Sequence, residues 1–322
     1  MSRRVVHADD RRFRPSLGAL RDYGIVVSFV VLFVVLSIAS PAFLTTTNLL
    51  NILEQNASVG IIAFGATAIL VAGGFDLSAG AVYALAGVVA ALIARDVDPV
   101  LGLLAGTLLG VGCGLFNGIL VTGLLVNPFV ATLASSLMFR GAAVLLTGGL
   151  LVIVNDSTFT AIGSEEIFDV KYSVFIFFAF FLILWGILSG TQFGRHIYAV
   201  GGNADAARLA GIRVNVVRTA AFTISGFSAG LGGVLAASRI STGEASAGMG
   251  IEFTAIAAAI VGGTSIYGGE GALWRTMFGV FLLALIGNGF NLLNIDPFYQ
   301  QITTGVILVI AVSLDAFARR TR

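Results

Sequence analysis

The chain has 322 residues, of which 57% are hydrophobic and only 11% charged. A soluble domain carries about 25% charged residues, so this composition excludes an ordinary soluble protein and leaves a polytopic membrane protein. A net charge of +1 points to no charged partner and no nucleic acid is expected; one cysteine, Cys113, excludes a disulfide framework or a cysteine zinc site.

Residues 1–23 hold six arginines with Asp9, Asp10 and Asp22, and read as a cytoplasmic tail or interfacial helix. Ser37-Ile38-Ala39 resembles a signal-peptidase site. The leader is long, carries acids and precedes many more spans, so a retained helix is expected. About 20 apolar residues cross about 30 Å of hydrocarbon. On that basis ten spans are expected, at 24–40, 53–73, 78–94, 99–124, 129–147, 172–190, 219–240, 251–266, 274–293 and 298–316. The fold class is all-α, with a transmembrane domain over 24–318 and a short tail at 319–322. Glycines and polar residues interrupt the second and eighth spans, the pattern of discontinuous helices. VAGGFDLSAGA (71–81) and IVGGTSIYGGEGA (260–272) echo each other at the ends of those two spans. The positions are not equivalent in a simple duplication, and the echo reads as a glycine-rich coincidence. The 41 glycines suit closely packed membrane helices.

Orientation follows from the basic residues. With both termini cytoplasmic, fourteen of the eighteen basic residues face inward: Arg3, Arg4, Arg11, Arg12, Arg14, Arg21, Arg195, Arg208, Arg213, Arg218, Arg275, Arg319, Arg320 and Arg322. The acidic 148–171 loop falls outside. Residues 191–218 are the one long polar, basic interval between apolar runs. Within it Asn203 is placed to cap a helix, and Asp205 lies in the first turn, where the dipole favours negative charge. Ala206, Ala207, Arg208, Leu209 and Ala210 continue that helix and Gly211 ends it. The result is a stiff lever of one or two turns.

No catalytic constellation stands out. His7 and His196 read as solvated residues, and no serine elbow or paired-histidine metal motif occurs. The only lysine, Lys171, follows Val170, so no P-loop is present and any ATP-driven motor is a separate polypeptide. Arg140 falls near the middle of the fifth span, where a charge is expensive. It is expected to pair with a neighbouring acid or line a wet cavity, unless the boundary is shifted. Glu252 and Arg239 read as interfacial, at the outer ends of spans seven and eight. Asp76, with Ser78, reads as a helix cap at a backbone bend. Asn117, Asn127, Asn288 and Asn291 could bond between helices or touch a passing polar solute.

Four blocks then carry a family resemblance: GGFDLSAGA (73–81), NPFVATLASSLMFRGAAVLLTGG (127–149), FGRHIYAVGGNADAARLAGI (193–212) and AAIVGGTSIYGGEGALWRT (258–276). In this order they resemble the inner-membrane permease subunit of bacterial ABC sugar importers, the ribose/xylose/galactoside type. The related branched-chain amino-acid permeases share the broad architecture. The resemblance implies a homodimer of permease chains in lipid, two copies of a separate ATPase that carries ATP and Mg²⁺, and a periplasmic solute-binding protein. No cofactor is expected in this chain. Asn203 to Gly211 would be the coupling helix, and spans two to five and seven to ten would form inverted repeats. Solute would cross by alternating access. The competing readings are an ion-coupled secondary transporter, for which Asp76 and Glu252 are the only candidate acids, a permease of the same superfamily for an amino acid or another non-sugar solute, and an intramembrane enzyme, against which two scattered histidines argue.

Overall fold

A computed structural model describes residues 17–320; the tail expected at the N-terminus lies outside the described residues up to position 16, as do residues 321–322. The chain forms α1 (Leu17–Ala39), α2 (Thr46–Val71), α3 (Ala79–Asp96), α4 (Pro99–Thr122) and α5 (Pro128–Thr147). Next come β1 (Val152–Ile153), α6 (Ser157–Ser164), β2 (Glu166–Ile167), β3 (Val170–Lys171) and α7 (Tyr172–Gly190). The second half holds α8 (Gln192–Gly202), α9 (Ala204–Leu209), α10 (Val214–Ile240), β4 (Thr242–Gly243), α11 (Ile251–Val261), α12 (Leu273–Leu292) and α13 (Pro297–Arg320). Side-chain oxygens cap several of these helices. Thr45 begins α2, Asp98 begins α4 and Asn127 begins α5, with proline in the first turn of α4 and α5.

Eight described helices are long and apolar enough to cross a membrane. Two of the ten expected spans fall short of that description: residues Tyr23–Ala39 of α1, and α11. At 11 residues α11 rises only about 16 Å, half a bilayer. The expected 251–266 span is therefore a half-helix, preceded by the non-helical stretch 244–250. The second span is corrected the other way. Its helix, α2, runs unbroken for 26 residues, and the break comes after it.

Helix α10 lies at the centre, packed against α2, α3 and α4. It meets α4 backbone to backbone. A Cβ on Gly110 would lie 2.5 Å from the Gly226 carbonyl oxygen, and one on Gly230 would lie 2.9 Å from the Gly110 Cα. Such contact lets two membrane helices gain dispersion energy and Cα–H···O contacts where hydrocarbon provides no hydrophobic drive. Phe64, Phe177, Phe180 and Phe181 fill the space between α2 and α7.

Two breaks enter the bundle from opposite ends. Gly73 packs on Gly201 at the end of the molecule that carries α8 and α9. From there residues 74–78 climb inward to start α3. At the far end β1 pairs with β4. The segment after β4 dips inward until Gly248 and Glu252 lie against Gly80, in the first turn of α3. Helix α2, a break and α3 thus run opposite to α10, a break and α11. The inverted repeats that the resemblance implied run over spans two to five and seven to ten; this opposed direction concerns only the first two helices of each.

The glycine echo has a local cause. After α2, Gly73 N–H bonds to Leu70 O and Gly74 N–H to Ile69 O; after α11, Gly263 N–H bonds to Ile260 O and Thr264 N–H to Ala259 O. Both are Schellman ends, with Gly73 at φ +75° and Gly263 at φ +83°.

Gly226→Ala should force α4 and α10 apart and lower the thermal midpoint of the detergent-purified chain by several degrees. Gly186→Ala, where a Cβ meets nothing within 4 Å, should leave it unchanged or slightly raised. Equal midpoints for the two variants would contradict the close α4–α10 contact.

Candidate functional site

Interior backbone that leaves the helix must bond within the protein, because lipid offers no partners. For residues 72–78 part of that task falls to Asp76, which is 5% exposed and accepts the Ser78 N–H. Its Oδ1 accepts from the Ser78 N–H at 2.9 Å and the Ser78 hydroxyl at 2.6 Å, and its Oδ2 accepts from the Ser225 hydroxyl at 2.7 Å. Ser78 Oγ also accepts from Asn117 Nδ2 at 2.8 Å. The Leu77 N–H donates to Thr132 Oγ1 on α5 at 3.1 Å. One short segment is thereby tied to α4, α5 and α10. The expected cap is corrected in kind: Ser78 holds the cap position of α3 and makes no side-chain cap bond, while Asp76 closes a turn and bridges to α10.

Arg140 serves the opposite break. Its Nη1 donates to Ala245 O at 2.8 Å and Ala247 O at 2.7 Å. It is half-buried and its hydrogen bonds go to backbone carbonyls, while the acid expected near it is Glu252, whose charge it meets without a hydrogen bond. Glu252, expected at an interface, packs against the first turn of α3. Its carboxylate presses on Gly80, where a Cβ would collide with it, and Oε2 is buried without a partner.

The remaining asparagines separate. Asn117 is fully buried beside Ser78. Asn288 exchanges two bonds with Asn48, at 2.7 Å and 3.2 Å, joining α12 to α2. Asn127 is an exposed helix cap, bonded to the Phe129 N–H at 3.0 Å. Asn291 lies exposed in the last turn of α12. Only Asp76 and Asn117 are brought together. Ser225, which completes their network, had no distinguishing mark in sequence, since serine is an ordinary small residue on a packed membrane helix.

Helix α9 is built as its residues foretold. Asn203 Oδ1 accepts from the N–H groups of Asp205 and Ala206, and Asp205 meets Arg208 at 2.8 Å. Gly211, at φ +83°, closes a Schellman end in which Gly211 N–H bonds to Arg208 O and Ile212 N–H to Ala207 O. Asn203, Asp205, Ala206, Arg208 and Gly211 are exposed. Ala207 is buried and seats the helix on the body, whereas Leu209 is 91% exposed. Among the described residues no group of three or more histidine, cysteine or acidic side chains is placed to hold a metal.

Comparison with known proteins agrees with this architecture. The family described as branched-chain amino acid transport system / permease component matches residues 48–312. The ribose import permease protein of Bacillus subtilis is 38% identical over 301 residues, covering 92% of this chain and 94% of its own. The L-arabinose ABC transporter permease protein of Azospirillum brasilense is 35% identical, covering 93% of this chain and 88% of its own. The D-allose transport system permease protein of Escherichia coli is 35% identical, with 91% of each chain covered. No solved structure matches.

Arg140→Ala should release the 245–247 carbonyls, each bond to a charged group contributing about 1.5–3 kcal/mol, and reduce uptake by about tenfold without preventing insertion. Full uptake in membranes of normal permease content would contradict the role given to Arg140. The match across 48–312 and three relatives above one-third identity over nine-tenths of the chain place it plainly: the protein belongs to the permease family of bacterial ABC importers, as a multi-pass inner-membrane subunit whose family role is non-catalytic.

Proposed function

We propose that this permease admits a monosaccharide and that α9 is the element on which its ATPase acts. The relatives named for ribose, L-arabinose and D-allose support a sugar of five or six carbons. The observation that carries the coupling role is Leu209. A leucine 91% exposed at the end of a capped, aqueous helix is an anchor without a pocket. Burying it in a groove of a partner would contribute about 1.5–3 kcal/mol. Asp205 and Arg208 flank it with a solvated ion pair, suited to a polar rim. In this reading the α9 end is cytoplasmic, residues 191–218 are the coupling loop, and the β-paired end receives solute from a periplasmic binding protein.

A second permease chain is the proposed cover for α5. That helix exposes Leu133, Leu137, Met138 and Leu145, and packs chiefly on α3 and α4. Alternating access then needs the two permease halves to rock as the motor opens and closes. The broken segments 72–78 and 241–250 are the mobile parts suited to follow that motion, because each is held by side chains and not by a continuous helical ladder. Membrane-embedded acids do not favour an ion-driven alternative. Asp76 has both oxygens engaged in structural bonds, and Glu252 lies against Gly80.

Leu209→Asp should weaken ATPase association by about tenfold to a hundredfold while the permease still inserts. Arg208→Glu should weaken it less, because its ion pair is exposed. Co-purification of the ATPase at the unsubstituted level with Leu209→Asp would exclude α9 as the docking element.

A further inference from the structure

Three backbone segments meet at the base of α9 with no side chain between them. Gly201 lies in the last turn of α8, two residues before the Asn203 cap. A Cβ there would land on the Val71 carbonyl oxygen, at the end of α2, and 2.6 Å from the Gly269 nitrogen. Those two groups are bonded to each other, Gly269 N–H donating to Val71 O at 2.9 Å. A Cβ on Gly268 would lie 2.8 Å from Gly201 O and 2.9 Å from the Gly73 Cα. Gly73, Gly268 and Gly269 have φ of +75°, +88° and +77°, so their backbone conformation alone explains glycine. Gly201 is helical, and only the closeness of its neighbours explains it.

We propose that Gly201 is a positioning residue for transport, the point at which displacement of α9 passes directly into the loops that follow α2 and α11. The claim rests on the reading of α9 as the ATPase-docking helix. Side chains yield by changing rotamer; backbone in contact with backbone does not, so a push on α9 reaches both loops undiminished.

Each loop leads onward to a membrane helix. Residues 74–78 carry Asp76 to Ser225 on α10 and Ser78 to Asn117 on α4. In the other loop, the Ser265 hydroxyl and the Ile266 N–H donate to Asp315 on α13, at 2.9 Å and 3.2 Å. Tyr198, one turn before Gly201, adds a second tie through its hydroxyl to Gly271 O at 3.0 Å. Burial raises the Tyr198 phenol above its ordinary range, with the nearby Arg275 charge acting against that, so the hydroxyl keeps its proton at neutral pH and donates.

The test uses the whole importer, reconstituted in liposomes with its ATPase and binding protein, and reads sugar taken up per ATP hydrolysed. Gly201→Ala should retain ATPase co-purification yet lower uptake per ATP by about tenfold. Tyr198→Phe, which removes one bond and keeps the shape, should lower it by about threefold. Gly202→Ala should change nothing, since a Cβ there meets no atom nearer than 4.0 Å. Unchanged uptake per ATP in Gly201→Ala and Tyr198→Phe overturns the proposal even if Leu209→Asp loses the motor as expected. A Leu209→Asp complex that keeps its motor overturns the docking reading, and this inference with it. Should Gly201→Ala fail to insert, Tyr198→Phe alone decides between these outcomes.

Discussion

The constraint on which this structure depends is that interior backbone outside a helix must be bonded by the protein itself. Two segments, 72–78 and 241–250, break the helical ladder inside the bundle. At the first, Asp76 accepts one backbone N–H and two hydroxyl groups; at the second, Arg140 donates to two backbone carbonyls. An anion stands where the Ser78 N–H opens α3. A cation serves the segment that presents carbonyls. Each charge is placed according to the polarity of the backbone it holds, which explains how both are tolerated in an apolar body.

From that arrangement follows a division of labour among the helices. The long helices α4 and α10, in glycine-mediated contact, form a body that holds its shape. The two breaks are local, side-chain-held joints set against it, and their inner ends meet where Gly80 receives Gly248 and Glu252. Because they enter from opposite ends, a shift at one end of the molecule bears on a junction that the other end also reaches. Alternating access needs such a shared junction, since opening one side has to be coupled to closing the other.

The sequence made the helices legible because each carries its own evidence: an apolar run of the right length, bounded by charge or by a cap. Helix α9 was readable to the residue, since Asn203 and Gly211 are local signals for local geometry. For α11 the glycine and polar interruptions marked a discontinuous helix, but its extent was not legible. Its length depends on where the preceding segment dips, and residues 241–250 have no hydropathic mark to say so. For the same reason the contact of Glu252 with the first turn of α3 was not legible. The partners of Arg140 were hidden because they are backbone carbonyls 105 and 107 residues away, which any residue type could supply. Asn288 was seen as a possible interhelical bond, but its partner Asn48 lies 240 residues distant and declared itself only in three dimensions. The glycine echo was visible as a pattern; its meaning, a shared helix ending, needed the hydrogen bonds.

The central claim is that an exposed helix end at Leu209 faces the cytoplasm and is covered there by the motor. It can be measured with a membrane-impermeant maleimide on Leu209→Cys, in a chain whose one native cysteine, Cys113, is buried. The account predicts labelling from the cytoplasmic side only, in inverted vesicles, and protection of that cysteine when the ATPase is bound. Labelling of intact spheroplasts from the periplasmic side would contradict it.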